Sequence, residues 1–331
     1  MKEGMPLPQK EKKDIRPVLD VLRRAAVMGM LGVATAQGAE SAESKAYTGH
    51  AHEESSAETT THSERASADV VTEAQIRTML RYDMGERMFL GTETKLTRVA
   101  EGRGEWGGVS FSTIQELMDR GEGVPVIGHT HPLSVYRNVG YSTEEIETLR
   151  ARGEAPAPMP PSFTDIIGAI DAAEHFRESD TAIRGRVYDP TGMWEYSVDE
   201  EHTAVRTFLR FREGLERAVN DALTAEEHAQ MREWGIQDAH PAKRIEQVRK
   251  KVNGVPIAAK MQMAMMRFTA SLPERTLRVV ERFASLETLS VQLASAKRNA
   301  ADSKQIARAI DTYITSCERL GISISYQAYQ Q

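Results

Sequence analysis

The chain has 331 residues, of which 40% are hydrophobic, and a formal net charge of −6 at pH 7. That is length for two domains, or for one with extensions, and enough apolar material for a core. The mild acidity leaves no basic face of the kind that nucleic-acid binding uses, and the single Cys317 excludes an internal disulfide and a cysteine-based metal cluster.

Near the N-terminus, Arg23-Arg24 precede an apolar run from Ala25 to Ala36 (AAVMGMLGVATA). It closes on Ala34-Thr-Ala36, which resembles a signal-peptidase site. Glu3, Glu11, Asp14 and Asp20 ahead of the run are foreign to an export signal, and the run is too short and glycine-broken for a membrane span. Residues 1–36 are therefore compatible with export or with a loosely attached helix; the compartment stays open, with the cytoplasm slightly favoured. From 37 to about 70 the chain is rich in Glu, Ser, Thr, Ala and Gly, so residues 1–70 read as a flexible, disordered extension. Gly49-His-Ala-His52 lies there without an apolar strand to hold its rings in register, and is given no role.

Order is expected from about 71. Thr72 is a plausible cap for a helix to Tyr82 through Ile76, Met79 and Leu80. Glu86 to Gly91 and Thr92 to Val99 are strand material, and Gly102, Gly104, Gly107 and Gly108 mark turns. Ser112-Thr-Ile-Gln115 has a capping-box pattern, starting a helix through Ile114, Leu117 and Met118 that stops at Gly121. Val124-Pro-Val-Ile-Gly-His-Thr-His-Pro132 follows as a short buried strand ending in two histidines. Residues 133–161 form an excursion with a second capping box, Ser142-x-x-Glu145, a short helix to Arg152, and Pro156, Pro158, Pro160 and Pro161. A helix from Phe163 to Phe176 comes next, then a hairpin of Arg184–Tyr188 and Met193–Val198 across Asp189-Pro-Thr-Gly192.

Beyond Glu200 the pattern is helical only. Val205, Phe208, Leu209 and Leu215 share a face, as do Val279, Phe283, Leu286 and Leu293, and Ile306, Ile310, Tyr313 and Cys317 before Gly321. Methionines 261, 263, 265 and 266 stand at helical spacing, which fits a core or a partner-binding face better than a metal site. The layout is thus an extension (1–70), an α/β (α+β) domain (71–200) and an all-helical region (201–331) that covers the sheet, binds a partner or self-associates.

The chemistry gathers at the histidines. Side chains alternate along a strand, so His129 and His131 point the same way and make half of a tetrahedral zinc site. Asp165, in the first turn of the next helix, can supply a carboxylate. Glu86, opening an earlier strand, is the candidate base, ahead of Glu93, Glu101 and Glu105; Ser162 can offer a hydroxyl to a developing oxyanion. Taken alone, Ser162-x-x-Asp165 is also an ordinary helix start.

Gly128-His-Thr-His-Pro132 with Ser162-x-x-Asp165 and an upstream acidic strand residue resembles the JAMM motif of the JAB/MPN metalloproteases; bacterial RadC-type proteins carry a similar pattern. The likeness covers roughly residues 72 to 200, including the closing strand at Gly192-Met-Trp-Glu-Tyr196. It implies a cytidine-deaminase-like central sheet flanked by helices. It also implies zinc on His129, His131 and Asp165, Glu86 as general acid/base, Ser162 at the tetrahedral intermediate, and a protein or peptide substrate, such as a ubiquitin-like conjugate. One departure stands out: Asp165 follows His131 by thirty-four positions, where relatives leave about ten. The excess is the 133–161 excursion, an insertion of low entropic cost that reads as a lid or substrate clamp. A non-catalytic scaffold with structural zinc, and a RadC-like role in nucleic-acid metabolism, are the alternatives; the acidic balance speaks against the latter. Calcineurin-like phosphoesterases end a metal motif in Gly-His-Thr-His, but the Asp-x-His and Gly-Asn-His segments they need do not precede Gly128. Amidohydrolase barrels would need many further strands.

Overall fold

The computed structural model describes residues 70–83, 85–92, 95–99, 111–121, 123–179, 182–236 and 241–329. The run at 25–36, the segment 37–69, and Glu93, Glu101 and Glu105 lie outside the described residues. Strands are β1 (Met88–Thr92), β2 (Leu96–Val99), β3 (Pro125–Thr130), β4 (Arg184–Asp189), β5 (Gly192–Val198) and β6 (Ile322–Ala328). Helices are α1 (Glu73–Tyr82), α2 (Phe111–Asp119), α3 (Thr143–Arg152), α4 (Phe163–His175), α5 (Thr203–Asp221), α6 (Ala225–Glu233), α7 (Pro241–Arg249), α8 (Gly254–Ser271), α9 (Glu274–Ala294) and α10 (Ser303–Glu318). The chain forms two compact units: Gly214–Leu277, and the described residues within 32–213 and 278–331. Among the described residues no helix is long and apolar enough to cross a membrane.

The larger unit is an α+β fold on a mixed sheet of order β2-β1-β3-β4-β5-β6, in which β3 and β4 run parallel and every other pair antiparallel. Strand alternation divides its core. Phe89, Val126 and Tyr188 pack with Ile76 and Leu80 of α1 on one face. Met88, Leu90 and Ile127 pack with Ile114 and Leu117 of α2, and with Phe176, on the other. Burying one such side chain contributes roughly 1.5–3 kcal/mol, which fixes the register and with it the face on which each polar side chain lands. α1, α3 and α4 start at Thr72, Ser142 and Ser162 as expected, and each start is a capping box. α2 begins at Phe111, so Ser112 lies inside its first turn and is not its cap.

One expectation is corrected. The C-terminal region is not all-helical. After α10, Gly321 at φ +81 turns the chain, a conformation that favours glycine, and β6 pairs with β5 with Tyr196 opposite Ile324. Ile322 and Ile324 face inward while Ser323 and Ser325 face out, a two-residue alternation too short to compete with the helical pattern before it. The excursion packs into the fold at its end. It opens as a 3-10 helix (Leu133–Val139); Leu133, Tyr136, Tyr141, Ile146 and Met159 form a cluster with Ala294 of α9, and residues 156–161 are buried.

In the smaller unit Met261 and Met265 are buried with Ile257 and Met231, whereas Met263 and Met266 are 50% and 55% exposed. Its buried Arg244 donates to Glu216 at 2.5 Å and to Asn220 at 3.1 Å.

Asp189, fully buried at the end of β4, knits the excursion to the β4–β5 hairpin. Its Oδ1 accepts from the Thr191 and Gly192 amides at 2.6 and 3.2 Å and from the Thr191 hydroxyl; its Oδ2 accepts from the Met159 amide and the Trp194 indole, both at 3.1 Å. Burial pushes its carboxyl up to about 6, against the pull of those donors. An amide at this position has one accepting oxygen, and its NH2 faces donors. Asp189→Asn is expected to destabilise the fold by about 2–4 kcal/mol, read as a lower midpoint in urea unfolding; a change within error contradicts the tether.

Candidate metal centre

The site lies where β1, β3 and α4 meet. His129 pairs with Met88 across the β1/β3 ladder and belongs to the face of Ile127, Met88 and Leu90. Alternation carries Glu86 and His131 to that same face. Thr130 faces the other way: its hydroxyl accepts from the Arg87 amide at 2.9 Å and its own amide donates to the Arg87 carbonyl at 3.0 Å. The His131 amide donates to the Tyr188 carbonyl at 2.7 Å. Glu86 is thus tied beside His131 by the backbone of their neighbours Arg87 and Thr130; His129 lies within β3 and His131 just past its end.

From the sheet's helical side, α4 brings Asp165 by way of its cap. Asp165 Oδ2 accepts from the Ser162 amide at 2.7 Å and from the Ser162 hydroxyl at 2.8 Å, closing the box. That commitment leaves Oδ1 facing His129 Nε2 at 3.5 Å. The two Nε2 atoms are 3.0 Å apart, and one donor from each of His129, His131 and Asp165 falls within 4.8 Å of the others. Zinc–nitrogen bonds of 2.0–2.1 Å at tetrahedral angles separate ligand atoms by about 3.3 Å, so this donor set fits a small divalent ion. Glu86 Oε1 is 3.9 Å from His131 Nε2. All five residues singled out in the sequence therefore converge: His129, His131 and Asp165 as a buried cluster able to hold a metal, Glu86 beside it, Ser162 on its carboxylate.

The electrostatics match a site that a cation completes. His129, His131 and Asp165 are 3%, 4% and 7% exposed, and such groups resist carrying isolated charge there. Burial works against a charged His129, but the Asp165 carboxylate, its hydrogen bond and Glu86 outweigh it and hold the ring up at about 9. Burial and the charge on His129 push His131 down to about 3. For Asp165 the burial cost is overcome by His129, His131 and the Ser162 hydroxyl, which keep it ionised well below the usual range. One proton, on His129 between a neutral imidazole and a carboxylate, thus occupies the place of the ion's charge. Burial lifts Glu86 to about 7, with Asp165 adding to the rise and His129 opposing it. His131 Nδ1, buried, has no hydrogen-bond partner, although the Met159 carbonyl favours the charged ring.

Sequence reasoning missed Thr130, Asp189 and the contacts of the C-terminal helices, because each acts through a backbone group far away in the chain. No known protein family, curated protein or solved structure matches this chain.

Metal binding must displace the His129 proton, so below about pH 9 the apparent affinity for a divalent metal is expected to rise roughly tenfold per pH unit. Calorimetric titration in buffers of different ionisation enthalpy should register one proton released per ion at pH 7. Affinity that is flat from pH 6 to 8 contradicts this charge state.

Proposed function

We propose that the protein is a zinc-dependent hydrolase of the JAMM type, on a JAB/MPN-like fold, cleaving a peptide or isopeptide bond in a protein or peptide substrate. The observation that carries the reading is the approach of two Nε2 atoms at 3.0 Å, with a carboxylate oxygen at 3.5 Å and a second acid at 3.9 Å. Zinc (Zn2+), when bound, supplies a Lewis acid that polarises a carbonyl and brings the pKa of water toward ~7.

The chain's own residues divide the remaining work. His129, His131 and Asp165 hold the ion, and the capping box keeps Asp165 Oδ1 turned toward it. Glu86, poised at about 7, takes the proton of the attacking water and delivers it to the leaving amine. The Ser162 hydroxyl, on turning from Asp165 Oδ2, donates to the oxyanion of the tetrahedral intermediate. The depth of the ligands favours a second reading, a scaffold in which zinc is structural and closed to substrate.

Glu86→Gln separates the two readings. It is expected to retain one zinc per chain and to lower the hydrolysis of peptide and isopeptide substrates at least 100-fold, the scale on which a general base acts. Wild-type turnover in this variant removes Glu86 from the mechanism; no turnover by the wild type across the substrate panel favours the scaffold.

A further inference from the structure

Residues 157–163, the strap that delivers Asp165 to the histidines, are poor in the means to hold themselves. Pro158, Pro160 and Pro161 have no amide hydrogen, and the strap belongs to no helix or strand until Phe163. Its buried carbonyls need outside donors, and the first amides of α4 need outside acceptors. Within α4 the capping box satisfies Asp165 and leaves the Phe163 amide unprovided for.

Those needs are met from the C-terminal helices. Phe163 N donates to Glu287 Oε2 of α9 at 3.0 Å. The Pro161 carbonyl accepts from the Tyr313 hydroxyl of α10 at 2.6 Å, and the Pro160 carbonyl from the Ser290 hydroxyl of α9 at 3.5 Å. Further back, Ala157 accepts from the Tyr136 hydroxyl at 2.9 Å and Met159 donates to Asp189 at 3.1 Å. Two of these contacts flank Ser162 on both sides, at Pro161 and at Phe163. The capping box ties Ser162 and Asp165 to each other, α4 buries Ile166, Ala169 and Ile170 and contacts β4 and β5, and the bonds at Pro161 and Phe163 grip the box at its two ends, where its approach to His129 is adjusted.

We infer that Glu287 and Tyr313 are positioning residues of the metal centre: the C-terminal helices, through two side chains more than 120 residues from Asp165 in the chain, hold the Ser162–Asp165 turn against the histidines. This inference rests on the metal reading above and assigns the C-terminal helices a task in it. The Tyr313 ring is seated independently of its hydroxyl, edge-on to Trp194 with centroids 5.7 Å apart, so the hydroxyl can be removed with the packing kept.

The test measures zinc affinity by competition with a chromophoric chelator, and the visible spectrum of the cobalt-substituted protein, on wild type, Glu287→Ala, Glu287→Gln, Tyr313→Phe and His131→Ala. Groups that orient metal ligands from behind are worth roughly 10- to 100-fold in affinity. Glu287→Ala and Tyr313→Phe are each expected to lose zinc affinity on that scale and to alter the cobalt bands. Glu287→Gln, which keeps an accepting oxygen for Phe163, is expected to restore both to near wild type. A purely structural role would lower the melting temperature and leave the folded fraction with unchanged affinity and spectrum; that result overturns the inference. Should Glu287→Ala not fold, Tyr313→Phe decides alone. Wild type that takes up no zinc, or His131→Ala that takes up as much, overturns the metal reading and this one with it. Wild type that binds, with His131→Ala empty and both bracing variants unchanged, overturns only the bracing.

Discussion

Two imidazole nitrogens and a carboxylate oxygen share a buried volume a few ångströms across, and much of the surrounding structure exists to make that arrangement tolerable. Withdrawing such groups from water is costly unless a cation neutralises them. In the chain alone a proton on His129 does this. A divalent ion does it better, because it satisfies all three donors at once where a proton joins two. The same reasoning explains Glu86. Burial, against the pull of His129 and with the Asp165 carboxylate adding to it, holds its proton up to about pH 7, which is what the proposed role of general acid/base asks of it.

The three side chains reach this volume by different routes, with different security. β3 is paired on both sides, to β1 and to β4, so His129 sits on a rigid element. His131 lies just past the strand and is secured by a backbone bond to the Tyr188 carbonyl. Asp165 arrives at the end of a long excursion, on a helix whose capping box sets where it begins in the chain and whose buried face contacts β4 and β5, while other groups hold the segment that leads into it. The compensation is spread over the molecule: the excursion's own cluster, the Asp189 knot at the hairpin, and the side chains of α9 and α10 that grip the proline strap. The end of the long segment between His131 and Asp165 is thus part of the core.

What was legible in the sequence was what local chemistry writes down. The apolar run into His-Thr-His announced a buried strand with two rings on one face. Thr72, Ser142 and Ser162, each followed three residues later by a reciprocal partner, announced helix starts, and Asp-Pro-Thr-Gly announced the hairpin turn. What escaped was written non-locally. β6 has only two large buried side chains and takes its partner from β5, more than a hundred residues earlier, so its strand character comes from the neighbour it finds. Glu287 and Tyr313 look, in sequence, like ordinary members of amphipathic helices; their significance comes from orphaned backbone groups of a proline strap, which no periodicity records. Asp189 reads as a turn residue and is one, yet its other oxygen holds Met159.

The central claim is that His129, His131 and Asp165 share one zinc ion, and X-ray absorption at the zinc edge tests it most directly. The expected result is one zinc per chain with a first shell of nitrogen and oxygen near 2.0–2.1 Å, carrying the multiple-scattering signature of two imidazoles, one of which is lost in His129→Ala. A shell without imidazole, or one unchanged by that substitution, would place the metal elsewhere and contradict the account.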